Sequence, residues 1–487
     1  MVGVLKESLD VQRRKRRRAE LRGVIALALP AVITTTSRAA MDVADYIMVA
    51  QLPTNNAQAA ILPAQVVMWS YIVLGLGIVM MVNTFAAQSL GRKDHREGGA
   101  YAWQGIYVSI FFGLLAAVVV MWVPDAVAWI GHDPGVQRDE IAYMRIALLT
   151  AGPTLIAEGL GWFFIGIHRP TIPMWTALEA NVVNIVVSVV LIFGYCGFEP
   201  MGIAGAAWGT MFAVCYRAVR LGASFLGWKL HESFATRTTW RLSLPRMHNL
   251  LRVGVPAGLQ LASEVVVWAI FVNLLIGRRF GTEHLVANNA AWQYMRVAFM
   301  PTIGVGRALT SLVGRSIGEG DPEKARRETR MATAMTMGFM TILSLVYCIY
   351  GEELIRLLVH DDEVARIGRG IMICTAVFQF FDAFSITYTA SLRGAGDTFV
   401  PSVFFVVTHW LIIVGGGWWI SATFPELGSI GPWIAASVLI GVTAVFLWAR
   451  WRKGAWTRIA LFGEKRDPIA DVALMMGPVD AAITPDA

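Results

Sequence analysis

Apolar residues recur along this chain in runs of about 20, separated by short charged or turn-forming segments. A run of that length, coiled as an α-helix, matches the thickness of a lipid bilayer. The predicted spans are 21–51, 57–89, 100–123, 141–166, 172–195, 202–226, 249–276, 284–314, 329–350, 366–391, 399–420 and 431–450. The pattern therefore predicts an all-α integral membrane protein with twelve transmembrane helices.

Lysine and arginine are concentrated in every second connection between the predicted spans. The connections at 89–99, 167–171, 227–248 and 315–328 are basic, whereas those at 52–56, 196–201 and 421–430 contain neither residue. Cytoplasmic loops retain Lys and Arg, so we expect a multi-pass protein of the plasma (inner) membrane with both termini cytoplasmic. Arg278 and Arg279, on a predicted outer loop, go against this orientation.

Pairs of residues repeat between the two halves of the chain at a nearly constant offset. Pro30-Ala31 matches Pro256-Ala257 at 226 residues, Gly91 and Asp94 match Gly318 and Asp321 at 227, and Gly166 and Pro173 match Gly394 and Pro401 at 228. Such a repeat predicts two pseudo-symmetric six-helix lobes. The predicted organisation is a basic cytoplasmic N-terminus (1–20), a first lobe (21–227), a cytoplasmic linker (228–248), a second lobe (249–453) and a cytoplasmic tail (454–487).

Composition supports the membrane assignment. Hydrophobic residues make up 56% of the chain and charged residues 15%, against about 25% charged in soluble domains. The formal net charge is +7, and six basic residues are consecutive at 13–18. Because this block precedes the first span, it indicates a topology anchor and not a nucleic-acid-binding segment.

Several ionisable residues fall inside the predicted spans, where each costs about 2.5–3.5 kcal/mol or more and therefore indicates a partner or a function. Arg38 and Asp42 are four residues apart in the first span, so they form an internal ion pair or contribute to a site. Asp45 lies on the same helical face and has no cation at helical spacing. We expect Asp45 to carry a proton.

Glu264 and Asp382 are acids in the second predicted lobe. Two interpretations stay open: either acid pairs with Arg296 or Arg307, or the two carboxyl groups hold Na⁺ or a proton. At the repeat offset, the residue of the first lobe that corresponds to Glu264 is Arg38. The two lobes therefore share a scaffold, but their charged residues differ. Unshared charges favour a function over a folding role.

Several segments between 20 and about 453 resemble the MATE family of multidrug and toxic-compound extrusion transporters. They are DYIMV at 45–49, GVPA at 254–257 followed by Glu264, FMP at 299–301, FQFFD at 378–382 and LRGAGDT at 392–398. The resemblance implies a first-lobe proton site that includes Asp45 and Asn184. It implies a second-lobe cation site that includes Glu264 and Asp382, with Na⁺ as a candidate ligand. The family's second aspartate, four residues after the asparagine, is Ser188 here, which shifts the expected coupling toward the second lobe.

The repeat and the resemblance together predict a secondary active antiporter that works by alternating access between the lobes. It would export small, amphipathic, cationic organic compounds in exchange for Na⁺ or H⁺, as a monomer in membrane lipid, without a cofactor and without nucleic acid. Asp42, Arg38 and Arg296 are possible additional site residues. A flippase for a lipid-linked precursor is the alternative that the arginines leave open. A membrane-embedded enzyme is a remote alternative, since no HExxH or GxSxG motif lies within the predicted spans.

Overall fold

The computed structural model describes the backbone of residues 2–52, 55–130 and 133–462. Side chains are described at 20–41, 43–52, 65, 67–129 and 133–462, so the basic block at 13–18 and most of the predicted tail lie outside this part. Almost all of the described backbone is helical, because apolar segments in a bilayer must satisfy their backbone hydrogen bonds internally.

Six helical spans form the first lobe. They are α1 (Val2–Ala50), α2 (Asn55–Val79, continuing as Met81–Gly91), α3 (His95–Val119, continuing through Val120–Trp122 and Val123–Ile130), α4 (Pro134–Leu149 and Ala151–Gly166), α5 (Thr171–Phe193) and α6 (Ile203–Phe225). The two parts of α4 meet at an angle of 42°. A short helix, Trp228–Phe234, lies in the predicted linker.

Six further spans form the second lobe. They are α7 (Leu244–Ile270, with a π-helical turn Phe271–Gly277 and Arg278–Phe280), α8 (Thr282–Gly318), α9 (Pro322–Leu358), α10 (Asp362–Ala395), α11 (Phe399–Thr408, His409–Gly416 and Gly417–Thr423) and α12 (Ile430–Lys453). The chain thus has the predicted twelve helices in two six-helix lobes.

Length and composition support most of these spans individually. Ten of the described helices are long and apolar enough to cross a membrane, or eleven when the bent α4 is counted as one span. The remaining span is α6, which has 23 residues but contains Arg217 and Arg220. The protein is therefore a multi-pass membrane protein.

The lobes contact each other at the end of the bundle where α2 turns into α3 and α8 into α9, called the basic end below. Gln88 Nε2 donates to the carbonyl oxygen of Gly394 at 2.9 Å, and Ser311 Oγ donates to that of Ile165 at 2.9 Å. A Cβ atom on Gly91 or on Gly318 would overlap backbone atoms of the opposite lobe. The lobes are therefore closed against each other at the basic end.

His168 follows α4 at this closed end and adopts a left-handed conformation with φ of 60°. Its Nδ1 lies 3.2 Å from Arg315 Nη1 of the second lobe. Burial, together with the charge of Arg315, lowers the pKa of His168 to about 4. His168 is therefore a neutral hydrogen-bonding residue near neutral pH.

The LRGAGDT segment forms the turn between α10 and α11. Gly396 has a φ of 83°, which a residue without a side chain adopts most readily. Asp397 accepts two hydrogen bonds from Arg450 of α12, at 2.7 and 2.8 Å, and Thr398 Oγ1 donates to the carbonyl oxygen of Val253 at 2.7 Å. The most specific motif in the sequence therefore links the corner between α10 and α11 to two further helices, α7 and α12.

Candidate functional site

Asp45 and Asn184, which the sequence places together, lie within one hydrogen-bonded group inside the first lobe. Thr210 Oγ1 on α6 donates to Asp45 Oδ2 at 3.0 Å, and Asn184 Nδ2 lies 3.4 Å from the same hydroxyl oxygen. Asp45 is 4% exposed and Asn184 is fully buried. The three helices α1, α5 and α6 thus form a buried polar site around one carboxyl group.

Two neighbouring polar atoms in this site have no hydrogen-bond partner among the described residues. They are Asn184 Oδ1 and Ser188 Oγ, one helical turn apart on α5. Ser188 faces Gly209 so closely that a Cβ atom there would overlap its side chain. Asp45 is the one carboxylate among the described side chains of this site, and Asn184 Oδ1 and Ser188 Oγ are acceptors that a proton carrier or a water molecule can use.

Glu264 and Asp382 also lie close together, inside the second lobe. Their carboxyl groups repel each other electrostatically, and the guanidinium of Arg393 attracts Glu264. The side chain of Trp268 lies beside Glu264 as a polar neighbour. The structure therefore brings together the two acids that the sequence assigned to one site.

A row of buried polar side chains follows Asp382 along α10. Gln379 Oε1, Asp382 Oδ2 and Ser385 Oγ are three residues apart in sequence, and none has a hydrogen-bond partner among the described side chains and backbone. Residues at this spacing share one face of a helix. Carboxylate, amide and hydroxyl oxygens are the ligands that hard cations prefer. This face of α10 is chemically suited to Na⁺ or a hydrated proton.

A third polar feature is a cavity of about 210 Å³ between the first lobe and α8. Its charged lining residues are Arg38, Glu158, Arg217 and Arg307. Glu158 accepts a hydrogen bond of 2.7 Å from Arg217, and its second oxygen lies 3.6 Å from Arg307 Nη1. Because Arg307 belongs to the second lobe, this ion pair crosses the lobe boundary at the cavity.

Of the two interpretations that the sequence left open, the structure does not support a pairing of the second-lobe acids with Arg296 or Arg307. Arg307 pairs with Glu158 of the other lobe. Arg296 is exposed and is not part of the cavity lining. Sequence spacing identifies partners within one helix only, and these contacts join different helices.

Other assignments from the sequence have mixed outcomes. Arg38 lines the cavity, whereas the side chain of Asp42 lies outside the described part of the chain.

The sequence did not indicate two residues of these sites, Thr210 and Arg217. A hydroxyl group carries no distinctive sequence signal, and Arg217 lies near a helix end, where arginines commonly reach the interface. Within the described residues, no cluster of three or more His, Cys, Asp or Glu side chains could hold a metal ion.

Comparison with known proteins identifies the family. The MatE family profile matches residues 30–190 and 256–419, which make up well over half of the chain. The chain is 27% identical over 438 residues to the probable multidrug resistance protein NorM of Rhizobium meliloti strain 1021, covering 88% of this chain and 92% of the relative. It is 28% identical over 448 residues to the corresponding NorM protein of Mesorhizobium japonicum, covering 89% and 94%.

The fold is shared with solved structures of transporters. A MOP superfamily transporter from Pyrococcus furiosus superposes with a TM-score of 0.81 at 20% identity, covering 90% of this chain and 97% of that chain. The matching profile and the NorM relatives identify a transporter and not an enzyme. The chain belongs to the MatE family of transporters.

Proposed function

We propose that the protein is a secondary active antiporter, which exports amphipathic organic compounds while Na⁺ or H⁺ moves inward. The observation that carries this proposal is the presence of a buried acidic site in each lobe, around Asp45 and around Glu264 with Asp382. Buried carboxyl groups that bind and release a cation provide a means of coupling transport to an ion gradient. No cofactor is needed for such an exchange.

The contacts between the lobes support a mechanism of alternating access. The hydrogen bond from Gln88 to Gly394 and the ion pair of Glu158 with Arg307 both form when the basic end is closed. A cation that binds one closure state more tightly shifts the equilibrium by its difference in affinity. We assign this role to the second-lobe acids first, because Ser188 occupies the position of the second first-lobe aspartate that the resemblance implies.

The orientation in the membrane is part of the proposal. Arg92, Lys93, Arg169 and Lys324 lie at the basic end, and the positive-inside rule places that end in the cytoplasm. We therefore place the protein in the plasma (inner) membrane as a monomer, surrounded by lipid, with both termini cytoplasmic. A reporter that is active only outside the cytoplasm should be inactive when it is fused to either terminus.

The sequence predicts a cationic substrate, and the acids remain the argument for it. The cavity walls do not support that prediction, because the described charged residues of the lining are three arginines and one glutamate. The charge of the cavity therefore favours a different substrate class. The cavity, smaller than the roughly 300–1,000 Å³ of a drug-sized pocket, gives no specific support to a flippase for a large lipid-linked headgroup.

The coupling is tested by substrate efflux in proteoliposomes with a Na⁺ gradient or a pH gradient imposed separately. We expect one gradient to drive efflux, and the variants Glu264→Gln and Asp382→Asn to abolish the driven component. Asp45→Asn reports on the first lobe in the same assay. Full gradient-driven efflux by the triple variant would remove the proposal.

Thermal unfolding of the purified protein can distinguish Na⁺ from H⁺ as the coupling ion. If Na⁺ binds the second lobe, Na⁺ should raise the unfolding temperature of the purified protein, and Asp382→Asn should abolish that increase. If the ion is a proton, the unfolding temperature should be independent of Na⁺, and efflux should follow the pH gradient alone.

A further inference from the structure

The cavity between the first lobe and α8 carries an excess of positive charge. Arg38, Arg217 and Arg307 line it, and Glu158 is the one acid in the described lining. The side chains of Arg217 and Arg307 are 9% and 19% exposed, and that of Glu158 is 12% exposed. Even without counting Arg38, two buried guanidinium groups share one carboxylate.

The contacts with Glu158 leave part of each guanidinium group unused. A guanidinium has five N–H donors, and Glu158 engages Nη1 of Arg217 at 2.7 Å and Nη1 of Arg307 at 3.6 Å. The Nε atoms of both arginines are buried and have no hydrogen-bond partner among the described residues. Buried, charged donors without acceptors are costly, which indicates that an acceptor from outside the chain completes them.

Aromatic rings hold two of these arginines in place. The guanidinium of Arg307 lies over the ring of Trp162 at 4.4 Å, and that of Arg38 lies over Trp69 at 5.5 Å. Stacking occupies the flat face of a guanidinium and leaves its edge, which carries the N–H donors, available for a planar oxyanion. The two rings therefore hold the guanidinium groups of Arg38 and Arg307 in an orientation in which their N–H donors can bind an anionic group.

We propose that this cavity binds the oxyanion group of an amphipathic organic anion, such as a carboxylate, sulfonate or phosphate. The neighbouring lining residues Ile72, Leu76 and Ile303 are apolar and provide a surface for an adjacent ring or chain. This inference rests on the proposed export function and names its substrate class. The volume of about 210 Å³ accommodates the charged head of the substrate and its first ring.

An anionic substrate changes the electrical character of the exchange. The cation sites at Asp45, Glu264 and Asp382 are separate from the arginine cavity, so substrate and cation do not compete for the same charge. Export of a monoanion in exchange for one inward cation moves two elementary charges per turnover in the same electrical direction. A membrane potential that is negative inside therefore drives both halves of the exchange.

The binding test uses the purified full-length protein and two probes of matched shape, naphthalene-2-sulfonate and 2-naphthyltrimethylammonium. We expect the sulfonate to bind more tightly than the cation. Arg307→Gln should weaken sulfonate binding by about tenfold or more, because a charge-assisted hydrogen bond is lost. Arg307→Lys should restore part of the affinity, and the control Arg220→Gln, an exposed arginine on α6, should have no effect.

Arg307→Lys, which keeps the buried charge, keeps the test decisive if Arg307→Gln does not fold, and Glu158→Gln adds a test whose expected effect has the opposite sign. Glu158→Gln leaves the arginines in place and removes the competing acid, so it should tighten sulfonate binding. Equal binding of both probes, or sulfonate affinity that is unchanged in Arg307→Gln and in Glu158→Gln, would overturn the inference. Competition by inorganic phosphate alone indicates a free oxyanion as the ligand, whereas competition by phosphatidylglycerol indicates a lipid headgroup, and both keep the anionic chemistry.

Transport separates this inference from the proposed function. Gradient-driven efflux of the sulfonate that is lost in Arg307→Gln supports both. Gradient-driven efflux of the cationic probe that survives Arg307→Gln keeps the antiporter and overturns the anion site. Tight, arginine-dependent sulfonate binding without gradient-driven movement of either probe keeps the anion site and overturns the antiporter.

Discussion

Substitution of Glu158 should destabilise the folded protein and, at the same time, strengthen its binding of anions. Its carboxylate joins Arg217 of the first lobe and Arg307 of the second, at 2.7 and 3.6 Å, with 12% of the side chain exposed. Glu158→Gln keeps the size of the side chain and removes its charge. Breaking a buried ion pair by removing one partner costs about 3–5 kcal/mol, because the other charge is left buried and uncompensated. The free energy of unfolding should fall by that amount.

The same substitution should strengthen anion binding. A carboxylate about 6 Å from a bound oxyanion repels it by about 3 kcal/mol at an effective dielectric constant of about 20. Water that enters the cavity reduces this value, so we expect an increase in sulfonate affinity of about 10- to 100-fold. Saturating sulfonate should then restore much of the lost stability, since a ligand at about 100 times its Kd contributes about 2.7 kcal/mol.

Both effects are measured on one purified sample. Thermal unfolding is followed with and without naphthalene-2-sulfonate, and the probe's fluorescence gives its Kd. The matched control is Glu179→Gln, whose carboxylate contacts Tyr216 and Arg220 with 38% of the side chain exposed. A pair this exposed contributes about 0–1 kcal/mol. The reasoning is refuted if Glu158→Gln weakens sulfonate binding, or if it changes stability no more than the control does.

Three further predictions follow from other parts of the structure. Thr210→Val removes the hydroxyl that contacts Asp45, at 3.0 Å, and should reduce proton-driven efflux several-fold without changing sulfonate affinity; equal efflux would contradict a coupling role. Gly318→Val would overlap the backbone of Gln88 across the lobes, so spin labels on the two lobes should move apart at the basic end, and an unchanged distance would contradict the closed contact. His168 has its pKa lowered to about 4, mainly by burial, so it binds fewer protons in the native than in the unfolded state. The unfolding temperature should therefore fall as pH decreases from about 6.5 towards 4, and this part of the decrease should be absent in His168→Gln.

The twelve-helix architecture could be predicted from the sequence because the lipid bilayer restricts which structures can span it. A bilayer requires apolar helices of a fixed length, so twelve spans were readable from the hydrophobic runs alone. The offset between Pro30 and Pro256 indicated two lobes, and each proline does lie inside the first helix of a lobe. The length of each apolar run is a local property, and the repeat is a regular spacing. Both can be seen in a single sequence.

The charge partners were not predictable in the same way. Arg307 lies on α8 and pairs with Glu158 on α4, in a different lobe, and this contact depends on how the lobes close. Asp45 and Asn184 were placed together by resemblance, and nothing in the sequence indicated that Thr210 lies between them. A cavity collects residues from many helices, so its net charge emerges only when the helices are packed.

The LRGAGDT segment illustrates the difference between a recognisable motif and a functional one. It identified the family most strongly, yet Asp397 binds Arg450 and Thr398 binds the backbone of α7. The residues that form the cavity belong to no continuous motif. The most recognisable motif of this protein therefore identifies the turn between α10 and α11, and it does not identify the cavity.

The glycines at the closed end determine how the lobes can separate. At Gly91 and Gly318 main-chain atoms of the two lobes lie in direct contact, and side chains add hydrogen bonds beside them, such as those of Gln88 with Gly394 and of Ser311 with Ile165. Each such hydrogen bond contributes about 0.5–1.5 kcal/mol. Opening at this end therefore requires the loss of these hydrogen bonds and of the close glycine contacts, and the two glycines set how near the lobes can approach each other.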